Sequence, residues 1–78
     1  MLIRTQSREA LAEVVHIYIA DMMGEKEYYI FGTCAGHGVF SGSKLTLGIY
    51  KSKKAALEEL DKIDEYFTNN PSGVYKMN

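Results

Sequence analysis

Three lysines, Lys51, Lys53 and Lys54, fall within four positions at the start of a helical pattern, directly after Tyr50 and before "AALEELDKI". A helix N-terminus carries partial positive charge and unpaired N–H groups, so acidic side chains normally gather there and basic ones gather at the far end. The order here is reversed, because Asp61, Asp64 and Glu65 lie toward the C-terminal turns with only Lys62 among them. Residues that break a local rule are where function is expected, and lysines added to a helix dipole suit an anion. The spacing predicts phosphate capture by Ser52, Lys53 and Lys54, with Lys51 and Lys44 nearby. The competing reading is a solvated helix end, its charges screened by salt and helped by a Glu58–Lys62 pairing.

Five of the seven glycines, Gly32, Gly36, Gly38, Gly42 and Gly48, lie between positions 32 and 48. Main-chain N–H groups of Gly36, Gly38 and Gly42 could approach a ligand closely, with Phe40 or Tyr50 as a flat surface for stacking. His37 lies in the same loop. The order GxxxxGK[ST] is absent, so this is not a P-loop. A hairpin connection with Phe40 folded back on a sheet explains the same residues. The candidate ligand-binding set is therefore Gly36, His37, Gly38, Phe40, Gly42, Lys44, Tyr50, Lys51, Ser52, Lys53 and Lys54.

Catalysis has few candidates. Cys34 and His37 have the spacing of half a zinc site, but closed structural zinc takes four ligands and His16 is the only obvious further donor. The same pair lacks an orienting carboxylate for nucleophilic work. The expectation is no catalytic residue, no metal and no cofactor.

Seventy-eight residues, 46% hydrophobic and 24% charged, bound the chain to a single domain over 1–78, close to the smallest size that folds alone. One cysteine excludes an internal disulfide and fits a reducing compartment, read as cytoplasmic. No apolar run reaches membrane-spanning length, and the opening residues lack a signal-peptide core. A net charge of −1 gives no general attraction to nucleic acid. Direct DNA binding is further disfavoured by the acids of the one long helix.

Periodicity places strands at Leu2–Gln6, about Val14–Ala20 with a start as early as Leu11, Glu27–Cys34 and Lys44–Tyr50. Ser7 could instead open a helical turn ahead of the second strand. Strict alternation puts Val15, Ile17 and Ile19 on one face, and Leu45, Leu47 and Ile49 on one face. Ser52 is a good N-cap for a helix whose apolar stripe is Ala56, Leu57, Leu60, Ile63 and Phe67, ending at Asn69, Asn70 and Pro71. "GVYKM" reads as a last strand. The fold class is α+β, a small antiparallel sheet of four to five strands with one C-terminal amphipathic helix on one face, followed by a short last strand. One helix covers one face, yet "YYIF" is bulky on both, Tyr28 and Ile30 against Tyr29 and Phe31, with Tyr18 on the side away from Ile17, which predicts a homodimer or higher oligomer; half-exposed tyrosines with their hydroxyls in water are the competing reading.

The framework "MLIRTQSREALAEV", "LTLGIYKSKKAALEELDKI" and "VYKM" resembles small phage and prophage proteins of Gram-positive bacteria. These open on L-I-R-[TS]-Q and later carry L-G-x-Y-x-[ST]-x-x-x-A-L-x-x-L-D-x-I. The likeness covers most of the chain apart from 22–26 and 35–43. It implies a shared fold and, by setting, a part in conflict between phage and host. Together with the lysines it leads to the expectation of a noncatalytic counter-defence protein that sequesters a small phosphorylated ligand, a nucleotide immune signal. The alternative is an inhibitor that binds a host nucleic-acid-handling defence protein through its acidic helix and tyrosines.

Overall fold

A computed structural model of the chain describes residues 1–21, 24, 26–34 and 44–78. Strands β1 (Leu2–Arg4), β2 (Leu11–Asp21), β3 (Tyr28–Cys34) and β4 (Lys44–Tyr50) precede helix α1 (Lys53–Asn69) and strand β5 (Val74–Lys76). They form one five-stranded sheet in the order β4-β3-β2-β1-β5. The first four strands pair antiparallel, and β5 joins β1 in parallel, which makes the sheet mixed. The chain leaves one edge at β4, crosses the sheet as α1, and returns at the opposite edge. A parallel neighbour requires such a crossover, and the helix supplies it.

The second strand begins at Leu11, and a hydrogen-bonded turn, not a helix, precedes it: Thr5 N donates to Ala10 O at 2.9 Å and Arg8 N to Thr5 O at 2.9 Å. Strict alternation fails at two places, each with a register shift. Val14 pairs with Cys34 but His16 with Thr33, so Val15 is an extra residue. Ile30 pairs with Gly48 but Phe31 with Thr46, which makes Leu47 extra. A bulge moves every later side chain to the other face. Val14 therefore takes the buried place expected for Val15, which is 62% exposed. Beyond Leu47 it is Tyr50, not Ile49, that packs against the core.

The core between sheet and helix holds Ile3, Val14, Ile30, Leu47, Ala56, Ile63, Tyr75 and Met77. Gly32 lies beneath Val14 and Leu47, where an added Cβ would meet Val14 Cγ1 at 2.9 Å. On α1 the buried residues are Ala56, Glu59 and Ile63, while Leu57, assigned above to the apolar stripe, is 45% exposed. Asp64, whose helical angle falls between those of Leu57 and Leu60, is exposed.

Gln6, just beyond β1, reaches the edge strand β4 with both its main chain and its side chain. Gln6 N donates to Leu47 O at 2.8 Å, and the Gln6 amide both accepts from Ile49 N at 2.9 Å and donates to Ile49 O at 3.3 Å. The amide thus meets the edge of β4 as a strand residue would. On the face away from α1, the rings of Tyr18 and Tyr29 each lie 5.7 Å from Phe31, and Lys44 Nζ sits 4.5 Å over the Phe31 ring. These neighbours help leave Phe31 only 6% exposed.

Candidate functional site

Ser52 caps α1 as expected: its backbone is extended and its Oγ accepts from Ala55 N at 3.0 Å. The first turn contains no acid, and Lys51, Lys53 and Lys54 are all exposed. Tyr50 has another task, since its ring folds against Gly48 and its hydroxyl donates to Asn78 O at 2.9 Å. Gly36, His37, Gly38, Phe40 and Gly42 lie outside the described residues. Of the others, Lys44 sits over the Phe31 ring, and none lines the cleft described next.

Concavity and charge coincide elsewhere. A cleft of about 410 Å³ is lined by Arg4, Thr5, Arg8, Lys76, Met77 and Asn78. Arg4 and Lys76 are register partners on β1 and β5. Like charges held side by side on neighbouring strands repel, so this pairing weakens the sheet unless an anion lies between them. Arg8 enters from the turn that follows β1. It is the one non-glycine among the described residues with positive φ, at 69°. A side chain in that conformation costs about 1 kcal/mol or more, and such strain tends to persist at functional positions. The strained turn presents the Arg8 carbonyl to Arg4, whose Nε and Nη2 both donate to it at 3.3 Å. One edge of the Arg4 guanidinium is thereby fixed, while the Nη1 edge remains for a ligand.

No acidic side chain lines the cleft. The ion pair among the described residues joins the Met1 amino group to Glu13 at 3.6 Å and involves none of the three cations. Neutral donors on the lining are already used. Thr5 Oγ1 shares a hydrogen bond with Ser7 Oγ at 3.0 Å and accepts from Ala10 N. Asn78 Nδ2 donates to Glu59 and to Tyr75.

Behind the cleft stands an arrangement that sequence reading missed. Glu59, one of the acids of the long helix, is 3% exposed. Its carboxylate accepts from Tyr75 Oη at 3.0 Å, Asn78 N at 2.9 Å and Asn78 Nδ2 at 3.0 Å. Tyr75 and Asn78 flank Lys76 and Met77, so the buried acid fixes the strand that carries a cleft cation. The only signal in the sequence was helical spacing, with Glu59 midway between Ala56 and Ile63.

Burial first, then hydrogen bonding to Glu59, pushes the Tyr75 hydroxyl up to about 12. Tyr50 is also raised from its ordinary 10.0, by burial and then by the Glu59 charge. A group whose folded pKa is raised lends stability that is complete below its unfolded value and is lost as pH climbs through the folded one. We therefore expect stability to hold up to pH 10 and to fall toward pH 12. Circular dichroism followed against pH, alongside phenolate absorbance, should show the loss, and Tyr75→Phe should make it shallower.

Among the described residues no three His, Cys, Asp or Glu side chains gather as metal ligands, and no helix is long and apolar enough to cross a membrane. Comparison with known proteins finds no matching family model, curated protein or solved structure.

Proposed function

We propose that the chain is a noncatalytic binding protein that sequesters a small phosphorylated ligand, held in the Arg4–Arg8–Lys76 cleft. The observation that carries this reading is the convergence of three cations on one concavity with no acidic side chain in its lining. Guanidinium groups suit phosphate because their parallel N–H groups match two of its oxygens. Nothing on the lining is placed to activate water, so retention follows from charge and shape. The likeness to phage proteins gives the setting: capture of a nucleotide signal of bacterial defence in the host cytosol. A second copy of the chain would cover the exposed Val15 and Ile49, leaving the strands that carry Arg4 and Lys76 open.

A second reading, inhibition of a host defence protein, is favoured by the exposed Leu57 beside the exposed acids Glu58, Asp61, Asp64 and Glu65. Titration calorimetry with phosphorylated nucleotides separates the two. Arg8→Gly removes the side chain while relieving the positive φ, so it should fold as well as the parent or better and bind more weakly by up to about fivefold, the loss of one exposed charge contact. Undiminished binding in Arg8→Gly would take the site away from the cleft. If Lys53→Glu with Lys54→Glu then abolished binding, the site would move to the start of α1. Native mass spectrometry would give the copy number and the bound mass together.

A further inference from the structure

Resting on that reading, we infer that the cleft recognises the terminal phosphate or polyphosphate end of its ligand by charge and takes no account of the base. The cations are all exposed at the cleft rim. An exposed ion pair contributes no more than about fivefold to an association constant. A phosphodiester or a carboxylate brings a single charge, enough for one such contact and too little for useful affinity. Three cations are engaged together only by a ligand with two or more charges on adjoining phosphate oxygens.

The lining also lacks what base recognition needs. None of its six residues is aromatic, so no ring is available for stacking. Thr5 Oγ1 and Asn78 Nδ2 are engaged within the protein, so neither is a free side-chain donor for a base edge. Met77, 8% exposed, gives only an apolar wall. What is left to recognise a ligand is the free Nη1 edge of Arg4, the Arg8 guanidinium and the Lys76 ammonium, which together count charge.

Calorimetric titration of the full chain at fixed, moderate salt tests this with tripolyphosphate, ATP, GTP, AMP and a cyclic dinucleotide. Tripolyphosphate, ATP and GTP should bind alike, within about threefold, AMP should bind up to about fivefold more weakly and the cyclic diester most weakly, as charge contacts are lost one by one. Lys76→Gln should compress that series by weakening the triphosphates most. ATP binding without tripolyphosphate binding, or a clear preference between ATP and GTP, would overturn the inference while leaving the cleft as a ligand site. Failure of all five probes to bind would remove the functional reading itself, and the inference with it.

Discussion

Glu59→Ala is expected to lower the stability of the domain by about 3 kcal/mol, since hydrogen bonds to a buried charged acceptor are each worth about 1.5 to 3 kcal/mol and do not add fully. The carboxylate is a common acceptor for the Tyr75 hydroxyl, the Asn78 main chain and the Asn78 amide. Alanine leaves the buried Tyr75 hydroxyl without its carboxylate acceptor, while the donors of the exposed Asn78 can turn to water. One compensation persists, because Asn78 Nδ2 still donates to Tyr75 Oη at 3.1 Å, and this keeps the loss below the sum of the bonds. A chain this short has about 4 to 12 kcal/mol in total, so a substantial fraction would go. The melting temperature should drop by more than about 12 °C, at about 4 to 8 °C per kcal/mol for a domain of this size. Glu59→Gln keeps the volume but turns an acceptor-only group into one that also donates, and most of the loss should remain. A drop of only a degree or two in both variants would show that the carboxylate does not hold β5 in place. Because Tyr75 and Asn78 bracket Lys76, the same variants should also weaken phosphate binding.

Ile30→Ala is expected to cost still more, about 4 kcal/mol within the range of 2 to 5 known for large-to-small core changes. Ile30 is fully buried at the middle of β3, with Ile19 on one neighbouring strand and Gly48 on the other. Glycine has no side chain to move into the vacated space, and Gly48 is itself hemmed in by the ring of Tyr50. The cavity therefore stays open, which places the cost toward the upper part of the range. Urea denaturation should show a lower midpoint with an unchanged slope. A cost under about 1 kcal/mol would mean that the sheet collapses around the void, contrary to the packing described.

The helix was legible because its signals are local. Ser52 as N-cap and the chain break at Asn70 and Pro71 depend on a few adjacent residues, and both stand as read. Which face the helix buries was less legible, because Leu57 and Glu59 exchange the places their polarity suggests. A carboxylate goes inside when partners are waiting for it, and those partners come from residues 75 and 78, far along the chain. The strand faces went astray for a different reason. A bulge is one residue of mismatch between two strands, and neither strand shows it alone, although Gly48 inside β4 was a hint.

The candidate site divides the same way. The helix-start lysines were found because they are contiguous, whereas Arg4, Arg8 and Lys76 lie at both ends of the chain. Composition, periodicity and capping by themselves determined a one-helix α+β domain with an N-capped C-terminal helix and strands in their approximate places. Only the tertiary structure decided that β5 returns parallel to β1, that two bulges reset the buried faces, and that three distant cations share a cleft. Local signals act over a turn of helix or a few strand residues, but sheet order and register are set by which buried surfaces fit together, and that is a property of the whole chain.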